Sequence, residues 1–352
     1  MSVTNQGSPA SFILSLTTAA IAAVIATVAL GTGVLVERAA PGSVGGPSAP
    51  AAPSGEMRLP AGGQVIQVSD AISRPISTVD ANSASVWVET SAVIGAHGLS
   101  RIDPATNAVT THIPNVFGAA FRGDELWAMV GGRDTICCSS ARLRQLNPTT
   151  GAILRTIGGI EGWGLAIAGD TAWTATKTSL LRVDLLSGVL VETVALPSEP
   201  WDDTLTVTEG AVWANSLEGL IRVDTSRTPA VAALVLPDEP ATFAAGGGFL
   251  WAILRSGDEV VQMDEATGAV LAIIGLGGGE TTTRWGTLTY AEGYVWASVA
   301  GGLVRIDPAT GSVGDVIPLP WGLYWGMQAV DGEMWVTVQD EAKLVRFPLP
   351  LD

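Results

Sequence analysis

Aromatic and charged side chains between the predicted β-strands are the residues of this sequence best suited to bind a ligand. They comprise five tryptophans with nearby carboxylates, an arginine and a tyrosine: Trp163, Trp201, Asp202, Asp203, Arg284, Trp285, Trp321, Tyr324 and Trp325. Aromatic rings beside carboxylates suit a sugar, or a cation attracted to the ring faces. We therefore predict a ligand-binding site from these residues. The alternative is that the large rings pack against one another.

His97 joins this candidate set because it lies in a long connection predicted on the same face of the molecule. The other histidine, His112, falls within a predicted strand and is interpreted as structural. A general base would have to be His97 or a carboxylate, and no neighbouring residues complete a catalytic set. The sequence has no G-x-S-x-G, Walker loop, H-E-x-x-H or zinc-ligand spacing. We therefore assign no catalytic residue, metal site or cofactor, and favour a binding protein over an enzyme.

Cys137 and Cys138 are adjacent, in the segment R-D-T-I-C-C-S-S. Outside the cytoplasm they could oxidise, although adjacent cysteines form a disulfide only within a strained eight-membered ring. A strained disulfide is more easily reduced and often has a role. The pair is therefore a disulfide candidate, with two free thiols or a purely stiffening ring as alternatives.

The charge of the chain restricts its partners. Its 352 residues carry a formal charge of -16, from 18 basic and 34 acidic residues. No run of lysines and arginines could follow a phosphate backbone, so nucleic acid is excluded as a partner. The same charge would repel anionic lipid headgroups, which argues against electrostatic docking on a membrane surface.

The N-terminal region predicts a membrane anchor and a tether. After a short tail (residues 1–11), residues 12–36 contain no charged side chain. This run is long enough to cross a bilayer and too long for an ordinary signal peptide, although cleavage near Ala39 and Ala40 is an alternative. Residues 37–62, rich in Pro, Gly and Ala, predict a flexible linker. We expect the domain that follows to be extracytoplasmic, although the lone Arg38 would favour the opposite orientation.

The rest of the chain, residues 63–352, repeats a unit of about 40 residues. Seven tryptophans recur in short β-type runs, at Trp87, Trp127, Trp173, Trp213, Trp251, Trp296 and Trp335. After each of the first six, a second run ends in a turn such as R-I-D-P-A-T-G, in which Asp, Pro and Gly each favour a tight turn. With one strand before each tryptophan, every unit holds four strands, named A to D, and strand B carries the tryptophan.

Four strands in about 40 residues, repeated radially, are typical of a β-propeller blade. The sequence therefore predicts an all-β, seven-bladed propeller in which the tryptophans pack between blades. The last unit ends after strand C, and residues 63–68 at the start of the domain supply the missing strand D. We predict that this segment closes the ring and covers two exposed edges. The Arg or Gln two places before each turn Asp or Asn is expected to bond a neighbouring turn.

The repeats resemble those of the YVTN and virginiamycin B lyase-like β-propellers, which are related to NHL propellers. The resemblance rests on the repeated unit V-W-x(n)-L-x-R-I-D-P-A-T-G-x-V and covers residues 63–352. It implies the fold, and for the lyase a pair of histidines with a glutamate and a divalent cation. Only His97 is available on that face, so the lyase site is not carried over. Quinone-binding propellers also contain adjacent-cysteine disulfides, but their docking pattern is missing, so no quinone is predicted.

Departures from the repeat are predicted to mark the functional face. In a propeller the D–A and B–C connections emerge on one side, here named the loop face, and the A–B and C–D turns on the other, the short-turn face. The B–C connections of blades one and two are enlarged, and the D–A connection into blade six is the longest of its class. The five tryptophans outside strand B fall in D–A connections, where loops tolerate variation and carry function.

Three hypotheses for function follow. The first, which we favour, is a membrane-anchored extracytoplasmic propeller that binds a small molecule, glycan or protein at the mouth of its channel. The second is a lyase or hydrolase resembling virginiamycin B lyase. The third is a non-catalytic scaffold whose rim aromatics are buried and whose sides bind other proteins.

Overall fold

A computed structural model describes residues 59–68, 76–82, 85–90, 97–131, 141–236, 240–254, 259–276, 286–319, 324–338 and 343–349. The predicted tail and membrane anchor, and all but the last four residues of the predicted linker, lie outside these ranges. None of the described ranges contains a helix with the length and hydropathy of a membrane span.

The described residues form seven four-stranded antiparallel sheets, the blades of a β-propeller. Strand β1 (Gln64–Gln67) comes first. Blade one is β2 (Ile76–Asn82), β3 (Ser85–Thr90), β4 (Gly98–Asp103) and β5 (Ala108–Pro114). Blade two is β6 (Val116–Arg122), β7 (Glu125–Val130), β8 (Arg142–Leu146) and β9 (Ile153–Glu161). Blade three is β10 (Trp163–Ala168), β11 (Thr171–Ala175), β12 (Ser179–Asp184) and β13 (Val189–Ala195).

The remaining blades follow the same A-to-D order. Blade four is β14 (Pro200–Thr208), β15 (Ala211–Ser216), β16 (Gly219–Asp224) and β17 (Val231–Leu236). Blade five is β18 (Pro240–Gly246), β19 (Phe249–Leu254), β20 (Glu259–Asp264) and β21 (Val270–Gly275). Blade six is β22 (Leu288–Ala291), β23 (Tyr294–Val299), β24 (Gly302–Ile306) and β25 (Ile317–Pro318). Blade seven contains β26 (Tyr324–Val330), β27 (Glu333–Val338) and β28 (Lys343–Pro348), and its fourth strand is β1.

Strand β1 closes the ring, as the sequence predicts. It pairs antiparallel with β28, from Gln64 opposite Arg346 to Gln67 opposite Lys343. Ile66, which is 3% exposed, lies in a core cluster with Trp335 of blade seven and residues of blade one. Side chains add two further links, because Arg346 donates to the Pro104 carbonyl of blade one and Asn107 donates to Gln64.

The seven strand-B tryptophans are buried between blades, which confirms their predicted packing role. All seven are at most 3% exposed. Trp213 of blade four, for example, belongs to the same core cluster as Leu250 and Ala252 of blade five. Strands at this radius are covered on both faces by neighbouring blades, so β15 is buried along its whole length.

Each strand-B tryptophan lies directly opposite an arginine or glutamine of strand C. Where the partner is arginine, its guanidinium can cover the indole: Arg346 Cζ lies 5.2 Å from the ring centroid of Trp335. In blade five, Gln262 Nε2 instead donates to the Pro308 carbonyl of the next blade, at 3.3 Å. The bonds from Arg346 and Gln262 confirm the predicted link to a neighbouring turn in blades seven and five. In blade one, Arg101 instead donates to Thr110 of its own blade, at 3.0 Å.

The C–D turns are closed by their first residue. Asp103 Oδ1 accepts the backbone N–H of Ala105 at 2.8 Å, and Asn147 Oδ1 does the same for Thr149 at 2.9 Å. Hydrogen bonds to the charged carboxylate lower the pKa values of the turn aspartates below the ordinary carboxyl value. The main donors are the hydroxyls of Ser226 and Thr267 for Asp224 and Asp264, and backbone N–H groups for the other three. The aspartates with lowered pKa are Asp103, Asp184, Asp224, Asp264 and Asp307.

The closure predicts different effects for two adjacent residues of β1. Ile66→Ala removes buried side-chain atoms between blades seven and one, so we expect the free energy of unfolding to fall by about 2–4 kcal/mol. Val65 is 42% exposed, and Val65→Ala should change it by less than about 0.5 kcal/mol. Denaturant unfolding of the full chain measures both. Equal effects of the two substitutions would contradict a buried closing strand.

The turn aspartates predict a loss of stability in acid. Because their pKa values are lower in the folded chain than in the unfolded chain, the unfolded chain binds more protons as the pH falls. Their stabilisation is present above the ordinary carboxyl pKa of 3.8 and is lost as the pH drops through the lowered values. Replacing all five by asparagine keeps the turn acceptor, as in Asn147, and should flatten the pH dependence of unfolding below about pH 4. An unchanged slope would show that these carboxylates do not titrate differently in the two states.

Candidate functional site

The long connections predicted on the loop face are present. The B–C connections of blades one and two comprise residues 91–97 and 131–141, whereas those of blades three to seven have two to four residues. The D–A connection into blade six, residues 276–287, is the longest of its class. The other face carries A–B turns of two residues and C–D turns of four to six residues, except in blade six, where residues 307–316 join β24 to β25.

Backbone hydrogen bonds tie both enlarged B–C connections to neighbouring D–A connections. Asn115 N–H, between blades one and two, donates to the His97 carbonyl at 2.6 Å, and Gly131 N–H donates to the Asn115 carbonyl at 2.8 Å. Gly162 N–H, at the start of blade three, donates to the Ala141 carbonyl at 3.4 Å. The loop ends of blades one to three thus form one connected surface, here named the loop-face sector.

His97 lies within this sector and packs on an aromatic residue. Its ring centroid is 4.6 Å from that of Phe117, with the rings tilted by 43°. Phe117 is 5% exposed and belongs to the same core cluster as Trp163. His97 is thus half-buried, with its ring set against the packed start of blade two. By contrast, His112 lies in β5 with its Nδ1 3.0 Å from Ser100 Oγ, as expected for a structural histidine.

A cleft of about 300 Å³ opens at blade three, and we name it the loop-face cleft. It is lined by Glu161, Gly162, Trp163, Thr176, Lys177 and Thr178. Trp163 is 9% exposed, so most of its ring packs in the core and only a small part faces the cleft. The lining offers a carboxylate, an ammonium group and hydroxyls at the surface, which suits reversible polar contacts.

Threonine hydrogen bonds fix the shape of this cleft. Thr176 Oγ1 accepts from Ser179 N–H and donates to the Ser179 carbonyl, both at 3.1 Å, which holds the B–C turn of blade three. Thr174, fully buried, donates through Oγ1 to the Trp163 carbonyl at 3.3 Å. The wall and floor of the cleft are therefore attached to strand B.

Several predicted site residues fall at irregular starts of strand A. In β14, Pro200 pairs with Ser216 and Leu205 with Ala214, so that Trp201, Asp202 and Asp203 lie in a bulge. In β26, Tyr324 pairs with Val338 and Met327 with Val336, which puts the Trp325 backbone in a similar bulge. Bulges redirect side chains and are common beside functional sites.

Tyr324 is part of the packed interior rather than the surface. It is 1% exposed, in a core cluster with Trp296 between blades six and seven, and burial raises the pKa of its hydroxyl. Tyr324 was predicted to contact a ligand, but its side chain has almost no surface exposed for such a contact. Arg284, Trp285, Trp321, Cys137 and Cys138 lie outside the described residues, so the ligand and disulfide predictions for them stay predictions.

Sequence reasoning missed Phe117, Asn115 and Lys177 as members of the loop-face sector. Lys177 is one of only two lysines in the chain, and its isolation in a short B–C connection was an available signal. Phe117 is followed by glycine, as are Trp163 and Trp325, so an aromatic–glycine pair recurs at the start of strand A. Among the described residues, no three His, Cys, Asp or Glu side chains are grouped so as to hold a metal ion.

Two glycines near the loop-face cleft are expected to differ in how much their replacement by alanine lowers the free energy of unfolding. A Cβ on Gly162 would lie 2.3 Å from the Ala175 carbonyl oxygen, so Gly162→Ala should lower the free energy of unfolding by at least about 1 kcal/mol. A Cβ on Gly158, in the preceding β9, would meet nothing within 4 Å, so Gly158→Ala should stay within about 0.5 kcal/mol. Denaturant unfolding compares them. A neutral Gly162→Ala would mean that the close approach is not required.

Comparison with known proteins supports the fold and no narrower assignment. No protein-family model matches the chain, and no curated protein sequence matches it. Similar solved structures include BamB from Moraxella catarrhalis, with 14% identity, a TM-score of 0.51, and 78% of this chain and 85% of that chain covered. The WD40 propeller domain of Doa1 has 15% identity, a TM-score of 0.55, and coverage of 80% and 96%. The computationally designed Ika8 protein has 13% identity, a TM-score of 0.52, and coverage of 79% and 98%. At these identities the likeness shows the β-propeller fold alone.

Proposed function

We propose that this protein is a membrane-anchored, extracytoplasmic β-propeller that binds a partner protein through its loop-face sector. The observation that carries the proposal is the pair of enlarged B–C connections in neighbouring blades on one face. Two adjacent enlarged connections, residues 91–97 and 131–141, are hydrogen-bonded at their ends to the starts of neighbouring blades. A rigid scaffold that presents long loops at one end is a common arrangement for recognition.

A protein fits this surface better than a small molecule. The loop-face cleft, at about 300 Å³, has the volume of the smallest ligand pockets, and most of the Trp163 ring is packed away from it. The cleft is flanked by exposed Glu161 and Lys177, and the enlarged loop of blade two ends beside it at Ala141. Charged groups around a modest depression are typical of the polar rim of a protein interface.

The anchor and the location are supported by the sequence. Residues 12–36 lack charge over a length sufficient to cross a bilayer, and residues 37–62 have the composition of a tether. Large domains can be translocated despite a single flanking positive charge, which is consistent with a propeller outside the cytoplasm. Adjacent Cys137 and Cys138 would then lie in an oxidising compartment.

A second candidate is the scaffold, in which the sides of the propeller bind partners. The burial of Tyr324 and of most of Trp163 favours it, because these rim aromatics contribute to packing. The lyase or hydrolase hypothesis rests on the repeat resemblance, His97 and the carboxylates of the loop face, and the second histidine that the resemblance implies is missing from that face.

The scarcity of lysine makes a direct test possible. Intact cells are treated with a membrane-impermeant, amine-reactive crosslinker that has a short spacer. We expect an adduct between the full chain and another protein through Lys177. The adduct should be lost in Lys177→Arg, which keeps the charge but removes the reactive amine, and retained in the matched control Lys343→Arg.

The captured protein is then used to test the interface. Glu161→Arg, which reverses a charge at the loop-face cleft, should weaken its binding by about tenfold. Arg227→Glu, at an exposed position in a C–D turn on the short-turn face, should not. An adduct that persists in Lys177→Arg, or equal effects of the two charge reversals, would reject the loop-face sector as the interface. An adduct formed only after lysis would reject the extracytoplasmic location.

A further inference from the structure

A second cleft lies on the short-turn face, between blades five and six, and we name it the turn-face cleft. Its volume is about 490 Å³, and its walls include Phe249, Gln262, Leu271, Tyr290 and Pro308. No charged side chain of the described residues lines it, although the chain carries a formal charge of -16. The proposed function makes no use of this site, which opens on the opposite face from the loop-face sector.

The turn-face cleft coincides with a departure from the repeat. In blades four and seven the strand-C arginine covers the tryptophan opposite, with Arg222 Cζ 5.8 Å from the Trp213 centroid. In blade five this position holds Gln262, whose amide reaches Pro308 of the next blade. Glutamine reaches that turn without the bulk of a guanidinium, so the space beside it stays open.

The aromatic walls of the cleft are held in place by the blade-five A–B turn. A Cβ on Gly246 would lie 2.1 Å from Tyr290 Cγ, so the Tyr290 ring packs directly on bare backbone. Phe249 packs edge-on against Trp251, with ring centroids 5.8 Å apart and an interplanar angle of 73°. The rings of Phe249 and Tyr290, the Tyr290 hydroxyl and the Gln262 amide therefore face one uncharged space.

These features suit a polyproline II segment. Such a segment is extended before binding, its proline rings pack on aromatic side chains, and its backbone carbonyls stay free to accept hydrogen bonds. Tyr290 supplies an O–H donor, and Phe249, Leu271 and Pro308 supply apolar surface. A charged ligand would lose its hydration in this cleft without gaining a partner.

The chain contains a segment of this kind in residues 47–53, P-S-A-P-A-A-P. Pro47, Pro50 and Pro53 recur every third residue, so in a helix with three residues per turn they would fall on one side. Residues 39–55 contain no charged side chain, which matches the uncharged cleft.

The point at which the chain joins the propeller puts this segment within reach. Leu59 packs against a core cluster that contains Trp296 of blade six and Phe347 of blade seven. Gly62 lies beside Pro348, at the short-turn end of β28. The six residues that follow Pro53 up to Leu59 span about 19 Å when extended at about 3.1 Å per residue. The described chain therefore begins on the short-turn face, next to blade six, whose other side borders the cleft.

We propose that segment 47–53 binds in the turn-face cleft of its own chain. Because the segment is tethered, its effective concentration at the cleft is high and few contacts suffice for occupancy. Occupancy would hold the predicted linker against the short-turn face and leave the loop-face sector uncovered.

Crosslinking of the full chain tests this directly. A photoreactive amino acid replaces Leu271, which lines the cleft and is 52% exposed, or Leu217, which is 63% exposed in a B–C connection on the loop face. We expect a crosslink within one chain from position 271 to segment 47–53, and none from position 217. Pro47→Ala, Pro50→Ala and Pro53→Ala together should lower the yield by about tenfold, and Ala51→Ser with Ala52→Ser should not.

A substitution in the wall of the cleft gives an independent check. Gln262→Arg restores the repeat residue and should fill the cleft, so the crosslink from position 271 should disappear while the chain stays folded. The matched change in blade two, Gln145→Arg, should leave the crosslink intact. A crosslink to a second copy or to another molecule would overturn the proposal. So would an equal yield from both positions, or a yield that the proline and Gln262 substitutions leave unchanged.

Discussion

Burial of one large aromatic ring between each pair of neighbouring blades is the interaction on which this molecule depends. A single four-stranded sheet cannot cover its own apolar faces, so each blade is stable only against its neighbours. Trp87, Trp213, Trp251 and their counterparts lie in that contact and are almost fully removed from water. The same requirement explains β1, since a ring left open would expose the blade-seven face around Trp335 and Ile66.

Because the stabilising contacts lie between blades, the connections at the two ends of the propeller are constrained differently. On the short-turn face, side chains such as Arg346 and Gln262 bond the next blade's turn, so these turns are part of the scaffold. On the loop face, the connections can lengthen without disturbing that packing. The enlarged B–C connections are attached through backbone bonds at Asn115 and Gly162, which gives a recognition surface a defined position.

Sequence reasoning succeeded where a residue type has one physical use. The spacing of seven tryptophans predicted the blades, and the missing last strand predicted the closing role of β1. It succeeded less well for aromatic residues in connections, because the type of residue does not reveal how much surface its neighbours cover. Trp163 and Tyr324 were predicted to line a binding site, and both rings are largely packed. Phe117 went unnoticed although it packs against His97.

The sequence by itself therefore determined the architecture: a repeated pattern of apolar strands, turn residues and one large ring per unit is compatible with few folds. Only the tertiary structure decided where space remains. The turn-face cleft exists because Gln262 and Phe249 of blade five meet Tyr290 of blade six with one guanidinium fewer than the repeat provides. The loop-face cleft likewise joins residues from a D–A and a B–C connection. Cavities depend on how side chains from different blades fill a shared volume, and that volume is defined only when the ring is closed.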